Sequence, residues 1–482
     1  MSEPCDLSAV EARRLIGAKK LSPVELLRSC LARIEALNPS LNAVVAMDEA
    51  GALAAASAAE QAVIAGDGLA PLHGLPLGVK DLNETAGLRT TFGCLVHKDN
   101  VPARDEPLVA RLRANGAIVL AKTNTPEFGA GANTRNAVYG ATGNPFDPSL
   151  TCGGSSGGSA VALAVGMVPI CTGSDHGGSL RIPAGFCGVV GFRPSAGLVP
   201  DGTSAAPFNP LVVEGPMARS MDDLLLLLGA MTGYERDDNF SRRDGGIGWG
   251  VGPGGWVPEI DLSRLRVAWS PDLGCAPVDA EIQETMARKV AAFAASFRLC
   301  ERRDPPLADA TAIFDVLRAT QFAAGLGPLV EQHRAVLGPN VIANVEHART
   351  LSLMDVGRAQ AAQQKLLKRM RGFFDEVDLL LAPAASVSPF PHAQWYPPTV
   401  GGQPSKTYID WLMLTGAVTV TATPVVALPC GRDRKGLPFG IQIVGPQGAD
   451  GLVLGAARAI ERVFASDPAL RRPVPAVAPE AR

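Results

Sequence analysis

Apolar positions in this chain follow two rhythms: helical stripes spaced three to four residues apart, and short unbroken runs bounded by Gly and Pro. Ser22-Pro23-Val24-Glu25 offers an N-cap, a proline at the first helical position and a capping-box Glu. Leu26, Leu27, Leu31 and Ile34 then form a helical stripe, and Asn38-Pro39 predicts its end. Residues 47–68 are rich in Ala and predict a second helix. Leu75–Val79 is a short apolar run of strand character, with Lys80-Asp81 directly after it. A second unit has the same order: a helix over Leu108–Ala114, a strand over Ala117–Ala121, then Lys122-Thr123-Asn124. This alternation predicts an α/β fold with a covered, mainly parallel or mixed sheet.

Further along, Met221–Met231 predicts a leucine-rich helix and Ser241–Pro258 a Gly-rich surface loop. Residues 278–300 and 305–377 read as largely helical, Asp378–Ala382 and Val418–Leu428 as buried strands, and about 450–465 as the last helix. The Pro- and Ala-rich segment 467–482 is expected to be frayed. No internal repeat and no long Ser- or Pro-rich linker divides the chain. One domain over 1–482 is therefore expected, with a helical insertion at about 278–377.

Composition narrows the class. Of 482 residues 47% are apolar and only 19% charged, below the roughly 25% usual in globular domains, which points to a large buried core. With 44 basic against 47 acidic residues, no positive surplus remains for nucleic acid or an anionic membrane, and neither partner is expected. The nine cysteines form no C-x-x-C pair, so a zinc ribbon is unsupported and reduced thiols in the cytoplasm are expected. The N-terminal MSEPCDLSAVEARR is too polar for a signal peptide. Val161–Thr172 and Ala417–Cys430 are too short or too interrupted to span a bilayer. The six histidines show no ligand spacing, so neither a metal nor another cofactor is implied.

The most informative segment is Thr151–Gly197, TCGGSSGGSAVALAVGMVPICTGSDHGGSLRIPAGFCGVVGFRPSAG. A flexible linker does not carry VALAVGMVPI between two Gly/Ser clusters. A phosphate loop needs G-x-x-x-x-G-K-[ST], and no lysine occurs between Lys122 and Lys289. Gly153–Gly157 matches the nucleophile-elbow pattern G-x-S-x-G, but no later histidine has an informative setting. No serine here has a lysine three positions later. A serine paired with a distant lysine base remains. A lysine desolvated behind an apolar strand would fall from about 10.4 towards 7 and could serve as a base. Lys80 and Lys122 both end apolar runs, and spacing alone does not choose between them.

The chain resembles the amidase signature family of serine hydrolases. The resemblance is carried by LPLGVKD (Leu75–Asp81), AKTNTPEF, TGNPFDP, GGSSGGSA, SDHGGSLRIPAGFCGVVGFRP and the C-terminal GLPFGIQIVG. The intervals of 75 residues from Lys80 to Ser155 and 24 from Ser155 to Ser179 agree with it. It implies an α/β/α domain around a central mixed sheet, with a signature core over about 70–200. It also implies a Ser-(cis)Ser-Lys triad: Ser179 the acylated nucleophile, Ser155 the bridging serine, Lys80 the base. The backbone of His176, Gly177, Gly178 and Ser179 would form the oxyanion hole. Family members often carry an uncharged residue where this chain has His176, whose side chain is expected to tune the pocket. Asp175 and Arg181 would brace the loop as an ion pair, and Lys122 and Asn124 would be structural. Gly129, Ala130 and Gly131 would line the acyl side, with Ser156 positioned beside the site.

One branch of the family serves as the glutamine-hydrolysing component of a tRNA-dependent amidotransferase and carries a Tyr-rich motif in its helical region. The corresponding stretch here, FDVLRATQFAAGLGPLVEQHRAVLG, has no tyrosine, so that role is the alternative. A catalytically idle scaffold is disfavoured because all three triad positions are filled. Five aromatic residues fall within Ala384–Leu412: Phe390, Trp395, Tyr396, Tyr408 and Trp411. A cover lined by Trp395 and Tyr396 would favour apolar or aryl amides, anilides, carbamates (urethanes) or esters. The expected partner is such a small molecule, taken by a monomer or homodimer.

Overall fold

The runs Pro76–Lys80, Ile118–Thr123 and Ile170–Asp175 are buried at every residue, and strands of that kind need cover on both faces. The cover is seen in a computed structural model, which describes residues 3–244 and 246–476. Eleven strands form its main sheet. In chain order they are β1 (Val44–Met47), β2 (Pro76–Lys80), β3 (Ile118–Thr123), β4 (Ile170–Asp175), β5 (Val190–Arg193) and β6 (Val213–Ala218). They continue with β7 (Arg266–Trp269), β8 (Leu299–Arg302), β9 (Leu379–Pro383), β10 (Val425–Arg432) and β11 (Pro438–Val444). Their spatial order is β1-β3-β2-β4-β6-β5-β10-β11-β9-β7-β8. The sheet is mixed: β3, β2 and β4 run parallel, as do β9, β7 and β8, while the pairings between those two groups are antiparallel.

The helices Gly157–Ala164 and Arg181–Cys187 pack on the central strands as one group. Met221–Met231 and Asp450–Ser466 pack there as another, leaving the sheet as the middle layer. Gly157–Ala164 is buried along its whole length, as a helix apolar on nearly every side requires, and its one polar side chain, Ser159, donates to Thr172 O at 2.8 Å. Among the described residues no helix is long and apolar enough to cross a membrane.

Several expectations are corrected. Val418–Leu428 is not one strand: Met413–Thr419 is a buried helix, and β10 begins at Val425. An apolar run buried on all sides has no period that separates helix from strand. The first stripe does not stop at Asn38-Pro39, because Pro23–Leu41 is helical throughout. It ends at Asn42, which is left-handed (φ 51°) and donates its N–H to Asn38 O at 2.7 Å. Within the stretch expected as a helical insertion, Leu299–Arg302 forms the edge strand β8. The segment after Asp467 is docked through residue 472. Leu470 is buried, Lys289 Nζ donates to Ala469 O, and Arg472 Nε donates to Gly188 O at 2.7 Å. Residues 477–482 lie outside the described residues.

Candidate active site

Parallel pairing of β2 with β4 brings two strand ends together. Lys80 ends β2 and Ser174-Asp175 end β4, with Gly78 opposite Cys171. Lys80 is fully buried, and its backbone N–H donates to Thr172 Oγ1 at 3.0 Å. Its Nζ lies 2.7 Å from Ser155 Oγ, 2.9 Å from Ser156 Oγ and 2.9 Å from Ser174 Oγ. Burial pushes its pKa down to about 7, against the opposing pull of Glu214 and Asp175. A neutral amine has two N–H donors and one lone pair, so three hydroxyl neighbours leave one of them free to act as donor to nitrogen.

Register also separates the two lysines. Val79 stands opposite Lys122, and Lys80 opposite Thr123. Neighbouring side chains alternate across a sheet, so Lys80 and Lys122 leave opposite faces. Lys122 is likewise buried, its pKa lowered to about 8 by desolvation. It donates to Asn83 O and, at 2.9 Å, to Thr85 Oγ1. Its hydrogen bonds are those of a structural tie between strand and loop, and none of them goes to Ser155, Ser156 or Ser174.

Ser155 and Ser156 immediately precede the helix Gly157–Ala164, and the Gly154–Ser155 peptide is cis. Ser156 Oγ donates to Ser174 O (3.3 Å), while Ser156 N–H donates to Ser179 O (3.2 Å). The glycines beside these serines allow close approach. A Cβ on Gly158 would come within 2.2 Å of Asn124 N. Gly178 has φ +123°, and a Cβ there would meet Thr415 Oγ1 at 2.2 Å.

The loop carrying Ser179 is held from below by Asp175. This carboxylate accepts from Gly178 N–H (2.9 Å) and Leu180 N–H (3.1 Å). It also binds Arg181 through both oxygens (Nε–Oδ2 2.9 Å, Nη2–Oδ1 2.9 Å) and Arg193 at 3.3 Å. Burial acts to raise its pKa, but the Arg181 and Arg193 guanidiniums outweigh that and hold the carboxyl well below the usual carboxylate range. The expected Asp175–Arg181 brace is thus present, extended by Arg193. Because Gly178 N–H is committed to Asp175, of the four expected oxyanion donors only those of His176, Gly177 and Ser179 make no hydrogen bond among the described residues. Asp175→Asn leaves two buried guanidiniums without a countercharge. It is expected to cost about 3–5 kcal/mol, read as a lowered midpoint in denaturant unfolding.

Ser155, Ser174 and Ser179 open onto one cavity of about 240 Å³. Gly129 and Gly131 line it as expected, and a Cβ on Gly129 would lie 3.3 Å from Ser155 Oγ. Ala130 instead holds the wall from behind, its carbonyl accepting from Asn340 Nδ2 at 2.9 Å. Ser156 sits below the floor, against Lys80. His176 faces the cavity, stacked on Phe322 and edge-on to Phe314. Burial, with Arg318 and Arg193 nearby, holds its pKa well below 6.5, so the imidazole is neutral.

Trp395 and Tyr396 do not line the cavity, contrary to the sequence expectation. Trp395 is 41% exposed beneath the Arg135 guanidinium, and Tyr396 donates to Lys406 O. Phe390 and Trp411 pack into the core. Of the five aromatic residues in that loop only Tyr408 reaches the cavity. Sequence reasoning missed a wall supplied by the helix Ala310–His333. There Arg318, Gln321, Phe322, Gly325 and Leu326 share one face. Their i, i+3, i+4, i+7, i+8 spacing was the available signal.

The fold is α/β, and the cavity floor carries a cluster of serines hydrogen-bonded to a buried lysine. Residues 25–454 match the family model described as Amidase, and the chain belongs to that family, whose members are hydrolases acting on C–N bonds. It is 34% identical over 460 residues to an acylamidase of Rhodococcus erythropolis, covering 95% of each chain. It is also 34% identical over 481 residues to one component of the glutamyl-tRNA(Gln) amidotransferase of Thermus thermophilus, covering 95% of this chain and 97% of that protein. Among solved structures, a bacterial aryl acylamidase of the amidase signature family superposes with a TM-score of 0.85 at 28% identity, covering 96% of each chain.

Proposed function

We propose that this amidase cleaves apolar or aryl amides, anilides or carbamates through an acyl-enzyme on Ser179, with esterase side activity. The observation that carries the reading is the 2.7 Å contact between Lys80 Nζ and Ser155 Oγ, at the floor of the cavity that also holds Ser179. Neutral Lys80 takes the Ser155 proton while Ser155 takes that of Ser179, whose Oγ bonds to the carbonyl carbon. The oxyanion is received by the N–H groups of His176, Gly177 and Ser179. The Lys80 ammonium returns a proton through Ser155 to the departing nitrogen, and the C–N bond breaks. Water then attacks the ester by the same relay, releasing the acid and restoring Ser179. Amines leave poorly unless protonated, so a two-way shuttle suits amides.

Apolar walls from Phe128, Ile182, Phe322 and Leu412 support the aryl or apolar preference, as does similarity to proteins named acylamidase and aryl acylamidase. The test incubates the purified chain with acetanilide, an aryl carbamate, an aryl ester and glutamine, alongside a fluorophosphonate mapped by mass spectrometry. Aniline release and an adduct on Ser179 are expected. Glutamine turned over faster than every aryl substrate favours the amidotransferase-like reading instead.

A further inference from the structure

Three arginines in or beside this site are buried: Arg181, Arg193 and Arg318. The first two share the carboxylate of Asp175. Arg318 is only 4% exposed, and among the described residues no carboxylate lies within 4 Å of it. Its partners are Asn344 Oδ1, Tyr408 Oη and the ring faces of Phe322 and Tyr408, at 4.3 and 5.1 Å. A guanidinium has five N–H donors, and among the described residues only two are used. A buried charge is normally paired, because desolvation is not repaid by uncharged neighbours. Tying Asn344 to Tyr408 needs hydrogen bonds but no net charge.

Arg318 also lines the cavity, and two further polar groups stand unpaired beside it. Gln321 Oε1 and His176 Nε2 are buried without any hydrogen-bond partner among the described residues. Both can donate to an anion: neutral histidine as its Nε2–H tautomer, and the Gln321 amide when turned end for end. With Asp175 outnumbered by Arg181 and Arg193, Arg318 adds to a local excess of positive charge.

We infer that Arg318, with Gln321 and His176, is an anchor for a carboxylate on the substrate, remote from the bond that is cleaved. The preferred substrates are then amides carrying an anionic group as well as an apolar body. This deepens the proposed hydrolysis and rests on that reading of the cavity as the substrate site.

The test uses two matched pairs, because the carboxylate can sit on the amine or on the acyl side. The pairs are 4-acetamidobenzoate against 4-methylacetanilide, and glutaric acid monoanilide against pentananilide. In the wild-type enzyme one carboxylate substrate is expected to exceed its neutral partner about 30-fold in kcat/KM, the scale of hydrogen bonds to a charged group. Arg318→Met should bring that ratio to about one, chiefly through KM. Arg318→Lys keeps the charge but loses the fork, and should retain a smaller preference; it also serves if Arg318→Met does not fold. No preference in the wild type, or a ratio unmoved while both substrates slow equally, overturns the anchor and leaves Arg318 a brace. If no pair is turned over, the hydrolysis reading fails separately. The anchor is then read by calorimetry on Ser179→Ala: tighter binding of 4-acetamidobenzoate than of 4-methylacetanilide supports it, and equal binding overturns it.

Discussion

Ser179→Ala is expected to lower kcat by roughly 10⁴- to 10⁶-fold, the loss seen when a nucleophile acting as part of a unit is removed. Ser179 is half-buried, opens onto the cavity and sits at the head of a loop tied down by Asp175. Its hydroxyl is small and uncharged, so the dissociation constant of a non-reacting analogue should change little. Ser155 is the rival nucleophile, since of the three serines bonded to the lysine amine it is the nearest, at 2.7 Å, and it also opens onto the cavity. The two assignments differ in where a fluorophosphonate adduct forms. Attack by Ser179 places the adduct there and abolishes labelling in Ser179→Ala. A variant that keeps its adduct on Ser155, with activity within tenfold of wild type, sinks the assignment.

Lys80→Met should lower kcat/KM by about 10²- to 10⁴-fold, the usual scale for a positioned base. In the wild type kcat/KM should rise with pH through about 7 and then level, because only the neutral amine accepts a proton and burial holds its pKa there. Stability carries an independent signature. In the unfolded chain the lysine titrates near its ordinary value of 10.5. Between about pH 7 and 10.5 the unfolded state therefore holds a proton that the folded state has lost. Stability from this group thus rises with pH across that window, and the penalty is full below it. At pH 7 the penalty is about 4 kcal/mol. Methionine removes it but forgoes three hydrogen bonds, for an expected net gain of about 1–2 kcal/mol. Thermal unfolding at pH 7 and pH 9.5 checks this: the advantage of Lys80→Met should shrink at the higher pH. A variant less stable at both, by the same margin, means the amine is not held neutral.

The expected oxyanion donors show how far a motif can be followed before the fold is known. His176-Gly177-Gly178-Ser179 offers four consecutive N–H groups, but the count falls to three once the fold turns the Asp175 carboxylate back onto Gly178. A motif states which donors exist along the chain and not which are already engaged. The aromatic loop failed for a related reason. Density of aromatic residues in Ala384–Leu412 reports material available to pack, and Trp411 and Phe390 used it on the core while Trp395 stayed beneath Arg135.

What the amino-acid order determined by itself is local. Apolar runs with Gly and Pro at their ends specify buried strands, and stripes at three and four residues specify helices. Their alternation specifies a covered sheet, because these signals arise from neighbours within one or two turns. The long glycine- and serine-rich motif placed Ser155 and Ser179 and left two lysines as candidate bases. Spacing did not choose between those lysines and resemblance to the family pointed to Lys80; tertiary structure supplies the physical reason, since a one-residue offset in the β2–β3 register sends Lys80 to the serines and Lys122 to Asn83 and Thr85. Tertiary structure alone brought Arg318, 163 residues beyond Ser155 in the chain, into the same cavity. Periodicity fixes which face of an element is apolar, but the face that meets a distant strand end depends on pairing register and helix packing, which are set only when the whole core closes.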